Sequence, residues 1–496
     1  MSRKEVLEAI EEQGSFDLVV IGGGITGAGV LRRAAREGLK ALLLEQMDFS
    51  WGTSSRSGKL VHGGLRYIKQ GQLALTYHAV RERERLLGAY RRLVFPLKFA
   101  IPLEKGKPFR RLLYRVGLTL YDLFAGRKYS SFQSVEELHG EFPFIKRGLA
   151  GAYTFYDAET DDARLTFQVI LEARALGALA LNYARVVEIL RDGRGRVRGV
   201  VFKDLQGGKT HQVGTEVVVS ATGAWTDALD PSVPMRRLKG SHLVLPASRL
   251  AFPFACALIH HRDGRPLYAL PWEGATLVGT TDIDFQGSLD REPSISPREV
   301  EYLFEALTHW FPGAEVGPED VISTFSGVRG VMDTGKKDPS RETRDYILKE
   351  RGGLVSVTGG KLTTFDYVAK RIMGKVSRLL GSRRVKEKAR PLPWEGGSRE
   401  DLEEFLCRFH TLVGEGNLEA AELEMLVRLG SVVHLHDLLL RRSRVGLLRR
   451  DGGLPLLEAL KEPLKRGLGW DEKRWEEEVA LYRETLKNYR IGEGNG

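Results

Sequence analysis

The sequence predicts an α/β fold carrying an inserted sheet of different style and a separate helical C-terminal region, and three observations predict it. The stretch Phe16–Glu45, FDLVVIGGGITGAGVLRRAAREGLKALLLE, reads as strand, glycine turn, helix and strand. Between Arg237 and Gly287 the pattern changes to short strands with hairpin-like turns, KGSHLVLP and then PLYALPWEGATLVGTTDIDF, which has antiparallel character. Beyond PLPWEGG, Pro391–Gly397, a linker by composition, Ser398–Tyr489 is helical throughout.

In the first unit an apolar, β-rich run, Phe16–Ile21, ends in glycines. Ile25, Val30, Leu31, Ala34 and Ala35 then recur at helical spacing until Gly38, and Ala41–Leu44 forms a second strand that closes on Glu45. Gly22, Gly24 and Gly27 stand in G-x-G-x-x-G register. The first allows a tight turn, the second lets backbone approach a pyrophosphate, and the third lets the helix pack close to the strand. The helix N-terminus offers N–H donors and a positive dipole end, and Glu45 falls where a carboxylate can accept the hydroxyls of an adenosine ribose. The unit therefore points to dinucleotide binding.

At 496 residues the chain exceeds one compact core, and its length predicts roughly two to four domains. Its two cysteines, Cys256 and Cys407, are far apart and in no metal-ligand spacing, so a disulfide framework, a metal site and thiol redox chemistry are not expected and a reducing cytoplasmic setting fits. The N-terminus has no signal-type apolar core, and no uninterrupted apolar run is long enough to span a bilayer. A net charge of +10 admits nucleic acid, an anionic membrane surface or a phosphorylated small substrate as partner, or simply a solvated basic surface.

In chain order, Met1–Gly14 reads as an amphipathic lead-in helix. Met47–Gly71 is rich in Gly and Ser but threaded with Arg56, Lys59, His62, Arg66 and Tyr67, the composition of a ligand loop. A charged helix follows from Tyr77 to Tyr90. Arg91–Tyr129 alternates apolar and basic residues and has two readings, a segment lying on an anionic membrane with snorkelling cations or a core helix pair with a basic outer face. In Gly151–Ala178 the acids Asp157, Glu159, Asp161 and Asp162 lead into a helix, where acids cap and complement the dipole rather than hold a metal. Strands alternate from Asn182 to Val219, and EVVVS, Glu216–Ser220, runs into ATGAW, a second place for backbone to meet the cofactor. The helix SPREVEYLFEALTHWFP closes the inserted sheet, and Gly353–Val376 returns to the ligand through a strand, a glycine pair and a helix.

The motifs GGGITG, TSSRSGKLVHGGLRY, YDAETDDARL, ATGAW, KGSH, GTTD, GVRG and TGGKLTT, in this order, resemble the FAD-dependent glycerol-3-phosphate dehydrogenases, as do GLTLYDLFAGR and LHDLLLRRSRVGLL. The family more often has proline at the positions of Gly330 and Ala224, changes that loosen backbone without removing a functional side chain. The resemblance implies a glutathione-reductase-like FAD-binding domain, an inserted mixed-sheet substrate domain and a C-terminal α-helical domain. The expected segments are 1–90, 151–236 and 331–390 for FAD, 91–150 for a basic amphipathic segment with part of the substrate domain, 237–330 for the substrate sheet and 391–496 for the helical cap.

The implied reaction oxidises sn-glycerol 3-phosphate to dihydroxyacetone phosphate by hydride transfer to flavin N5. Electrons would pass to a membrane quinone, with the protein peripheral on the inner face of the cytoplasmic membrane, no nucleic acid as partner and a homodimer admitted. The resemblance places Gly22, Gly24, Gly27, Glu45, Ser54, Ser55, Lys59, Val187, Ala221, Gly223, Gly360, Lys361 and Leu362 against FAD, and His62, Arg66, Tyr67, Thr281, Arg329 and Lys361 against substrate. Two arginines, Arg66 and Arg329, suit a phosphomonoester through forked hydrogen bonds. His62 is the candidate base, or only a partner of loop backbone, and Lys361 stabilises the developing alkoxide or reduced flavin, or only contacts FAD. The alternatives are an oxidase of the same substrate that uses O2 and makes H2O2, an amine or amino-acid oxidase, and a non-catalytic basic module containing FAD.

Overall fold

The structure, a computed structural model, describes residues 2–69, 71–335, 342, 345–381, 427 and 429–494, with the side chains at 66 and 69 outside the description. Ser2 starts α1 (Arg3–Gln13) with a capping box: its hydroxyl accepts from the Glu5 N–H, and its own N–H donates to the Glu5 carboxylate at 2.6 Å. Next come β1 (Leu18–Ile21), α2 (Ile25–Arg36) and β2 (Ala41–Leu44), both strands wholly buried, as continuous apolar runs in a parallel sheet must be.

The chain then leaves this sheet through β3 (Leu60–Val61), α3 (Leu65–Lys69), α4 (Leu73–Ala89), β4 (Val94–Glu104), α5 (Pro108–Ala125), β5 (Ser131–Gln133), α6 (Val135–Glu141) and β6 (Leu149–Thr160). It returns through α7 (Asp162–Ala175), β7 (Leu179–Leu181), an antiparallel flap of β8 (Ala184–Arg191), β9 (Val197–Asp204) and β10 (Thr210–Gly214), then β11 (Val218–Ser220) and α8 (Thr226–Leu229). A second excursion carries β12 (Met235–Pro246), β13 (Ala255–Ile259), β14 (Pro266–Trp272), β15 (Ala275–Gly279), β16 (Ile283–Asp284), α9 (Pro297–Trp310) and β17 (Ser323–Met332). The last return is β18 (Ile347–Arg351), β19 (Leu354–Thr358) and α10 (Phe365–Leu380).

Two main sheets result. The first has the order β18-β19-β11-β1-β2-β7, and the second β16-β12-β15-β14-β13-β4-β6-β3, with β17 also on β12 and β5 on β6. Helices α2, α7 and α10 cover the first sheet and share a core that includes Val30, Leu31, Phe167, Ile170, Phe365 and Ile372. Each such side chain contributes roughly 1.5–3 kcal/mol on burial. Buried Arg32 pairs with Glu172 of α7 at 3.1 Å and Asp366 of α10 at 2.7 Å, so the three helices also share one ion-paired cation.

One expectation changes. The half of Arg91–Tyr129 that forms β4 is neither membrane segment nor helix, because Leu97, Phe99, Ile101 and Leu103 alternate inward as a strand requires; only α5 is helical. The segment boundaries expected at 150, 236 and 330 fall inside β6, β12 and β17, strands of the second sheet. The expected linker 391–397 and the first part of the C-terminal region lie outside the described residues. Its described part, a π-helical turn Asp437–Arg442 and helices Val445–Leu448, Leu457–Leu468 and Glu472–Lys487, is helical as expected and packs on the second sheet: Leu438, Leu439, Leu460 and Tyr482 share a cluster with Trp272 and Phe325.

Candidate active site

A cavity of about 710 Å³ opens between the carboxyl ends of β1, β2, β11 and β19 and the face of the second sheet that carries His242, Tyr268 and Arg329. Its size is that of a cofactor or small-molecule site, and it lies where ligands bind in open α/β sheets.

At the first-sheet end the glycines do what their spacing demands. A Cβ on Gly27 would stand 1.9 Å from the Gly22 carbonyl oxygen, so only glycine lets α2 come this close to β1. Gly24 starts α2 with no side-chain cap, leaving backbone donors of the first turn turned to the cavity, while the Ile25 N–H donates to Ser54 Oγ at 3.0 Å. Glu45 lines the cavity and accepts from the Gly23 N–H at 2.6 Å and the Met47 N–H at 2.8 Å. Burial raises its pKa, those N–H groups oppose the rise, and each oxygen keeps a lone pair for a ribose hydroxyl.

Val187, Ala221, Gly223, Gly360 and Leu362 line the cavity, and so does Ser54. Ser55 and Lys59 do not. Ser55 is turned to the carbonyls of Trp51 and Gly52, and the fully buried Lys59 ammonium donates to Ser55 O at 2.7 Å and to Asp162 at 2.6 Å. Burial, reinforced by Arg444 and opposed by Asp162, lowers the Lys59 pKa to about 8. The loop's cavity face is instead Ser54, Arg56, Ser57 and Gly58.

The second-sheet end gathers His62, Tyr67, Arg329 and Lys361, distant in sequence. The Lys361 ammonium lies 3.5 Å from the centre of the Tyr67 ring, and the His62 N–H donates to Thr363 Oγ at 3.0 Å, which ties the first loop to the last return. Arg329 bonds one oxygen of Asp282, and Arg265 the other at 2.9 Å. Thr281, expected here, is instead buried behind the cavity: its hydroxyl donates to Glu299 at 2.7 Å and accepts from the Ser241 N–H at 2.9 Å, and Thr280 lines the cavity in its place. Arg66 stands on α3, its side chain outside the description.

Sequence reasoning missed Arg265 and His242. His242 faces the cavity from β12, stacked on Phe325 of the neighbouring β17 at 4.6 Å. Neither ring nitrogen meets a hydrogen-bond partner among the described residues. Burial first, then the charges of Lys59 and Arg329, push its pKa to about 3, so this imidazole is neutral. The one available signal was its place in KGSH; Arg265 gave none, because a cation in a hairpin turn reads as solvated surface. Arg265, Arg329 and Lys361 line this end, with Asp282 between the two arginines, and a group of cations of this kind suits a small anion.

The sequence matches the family described as FAD dependent oxidoreductase over residues 17–372. It is 33% identical over 443 residues to an aerobic glycerol-3-phosphate dehydrogenase of Staphylococcus haemolyticus, covering 86% of this chain and 79% of that one. It is 34% identical over 394 residues to the protein of the same name from Staphylococcus saprophyticus, covering 77% and 70%. Among solved structures, the glycerol-3-phosphate dehydrogenase of Bacillus halodurans complexed with FAD superposes with a TM-score of 0.71 at 27% identity, covering 98% of each chain.

Proposed function

The chain belongs to the FAD-dependent oxidoreductase family, with aerobic glycerol-3-phosphate dehydrogenases as its relatives, and from this premise we propose that it oxidises sn-glycerol 3-phosphate to dihydroxyacetone phosphate with FAD. The observation that carries the substrate is the meeting of Arg265, Arg329 and Lys361 beside His62, at the far end of a cavity whose other end is a glycine cradle.

The residues fit the cofactor. The turn Gly22–Gly27 and the uncapped start of α2 would take the diphosphate, Glu45 the ribose, and Ser54, Ala221 and Gly360 the flavin. When bound, FAD supplies the two-electron acceptor for the substrate's secondary alcohol. The chain's residues do the rest. Arg329 and Arg265 hold the phosphate from the second sheet, and Lys361, over Tyr67, stabilises negative charge growing on the substrate oxygen. His62 takes the hydroxyl proton, on a loop whose backbone Thr363 and Tyr121 hold in place. His242, neutral, sets one wall without adding charge.

We infer that the electrons leave to a membrane quinone and that the protein works at the inner face of the cytoplasmic membrane. Support comes from α5, where Phe109, Leu112, Leu113, Val116 and Leu123 are exposed at helical spacing on one face, flanked by Lys105, Lys107, Arg111, Arg115, Arg127 and Lys128. No helix among the described residues is long and apolar enough to cross a membrane. The test is anaerobic bleaching of the yellow protein with sn-glycerol 3-phosphate, followed by a soluble quinone or air. Bleaching with fast reoxidation by quinone and slow reoxidation by air supports the reading. Fast reoxidation by air with peroxide marks an oxidase, and no bleaching removes the substrate.

A further inference from the structure

The segment Asp437–Arg444 lines no part of the cavity, yet its charged side chains are all buried, and its three arginines reach the two loops that do. Arg441 and Arg442 close on Asp48, three residues beyond Glu45, at 2.5 Å and 2.8 Å. Arg441 also pairs with Asp437 at 2.5 Å, and Asp437 accepts from the hydroxyl of Tyr183, whose N–H holds the Met47 carbonyl at 2.9 Å. Arg444 reaches the other loop. Its guanidinium bonds Asp161 at 2.7 Å, Asp162 at 2.6 Å and the Ser55 carbonyl at 3.3 Å. Asp162 in turn accepts from the Ser57 N–H at 2.8 Å and from Lys59 at 2.6 Å. Lys59, Arg441, Arg442 and Arg444 thus pair with Asp48, Asp161, Asp162 and Asp437, a buried network whose charges balance.

We propose that Asp437–Arg444 is a clasp that completes the cofactor site: it holds the loops at 46–51 and 54–59 in their cofactor-binding form, with Asp48, Asp162, Arg441, Arg442 and Arg444 as positioning residues. The inference rests on the FAD reading above. A buried network of this kind is costly to form and costly to break singly, so the loops stand in one arrangement while it is closed and lose it when it opens. Coupling of this sort is reciprocal: whatever the clasp adds to cofactor affinity, the cofactor must return as stability of the clasp.

That reciprocity gives a test on the unaltered chain. Amide hydrogen exchange is compared in the holoprotein and in the same protein after FAD is stripped, with restoration of FAD as control. Slower exchange in the holoprotein, at least tenfold, is expected at 437–444 and 46–59 but not in α9, which neither lines the cavity nor touches the clasp. Equal exchange at 437–444 in the two forms overturns the clasp, and so does a gain shared equally by α9, which is global stabilisation. If the purified protein carries no FAD spectrum and acquires none when FAD is added, the cofactor reading itself fails, and the clasp with it. In parallel, Arg444→Met is expected to raise the FAD dissociation constant at least tenfold, with Arg444→Lys between it and the parent because the charge stays and the fork is lost. An unchanged dissociation constant in folded Arg444→Met also overturns the proposal.

Discussion

Arg329 and Arg265 hold opposite oxygens of one carboxylate, that of Asp282, so a cation from β17 and one from the turn before β14 stand side by side at the cavity wall. Asp282 is buried and sets both guanidinium groups. A phosphate arriving there meets donors already oriented, which lowers the ordering cost of binding. Arg329→Ala is expected to raise the KM for sn-glycerol 3-phosphate by roughly 10²-fold while FAD stays bound. Steady-state kinetics with a flavin spectrum checks this, and unchanged kinetics takes Arg329 out of the phosphate site.

For His62 the expected signature is in the pH profile. His62→Asn should lower kcat about 10²- to 10⁴-fold and remove the limb of kcat/KM that lies near neutral pH. His242, with its pKa pushed to about 3, cannot supply such a limb. A limb that survives in His62→Asn therefore places the base elsewhere.

Membrane contact through α5 is a matter of one exposed face. Leu112→Asp with Val116→Asp puts charge in the middle of that face without touching Leu118 and Tyr121, which are buried on the other. Co-sedimentation with phosphatidylglycerol vesicles is expected to fall at least tenfold, with activity toward a soluble acceptor unchanged. Retained sedimentation assigns the contact to another surface.

The nucleotide end of the site was legible in the sequence because its information is local: Gly22, Gly24, Gly27 and Glu45 act through spacing within one strand, turn and helix. The substrate end was legible only in part. Whether Lys59 or Arg56, and Thr281 or Thr280, faces the cavity depends on where the loop and strand turn, and neighbours such as Asp162 and Glu299 decide that from far along the chain. Arg265 acquires a role only when β14 is laid in the second sheet within reach of Asp282. The same holds for LHDLLLRRSRVGLL, which read as part of a helical cap and proved to be buried charge facing the cofactor loops.

Glu159 supplies a pH test that is independent of catalysis. It stands on β6 opposite Leu60 and Phe95, and its Oε2 is buried with no hydrogen-bond partner among the described residues. Burial, with the nearby Glu273 carboxylate adding to it, raises its pKa from 4.5 to about 7. In the folded chain the group therefore keeps a proton that the unfolded chain has already released between those two values. Stability falls as pH rises through that window, and the penalty is complete above it. At 1.4 kcal/mol per pKa unit the full loss is roughly 3 kcal/mol. Glu159→Gln removes the titration and keeps the shape, so its denaturation midpoint should exceed the parent's at about pH 8 and match it near pH 4.5. Urea unfolding of both proteins across that range measures the difference, and parallel curves would mean that Glu159 is hydrated and ionises normally.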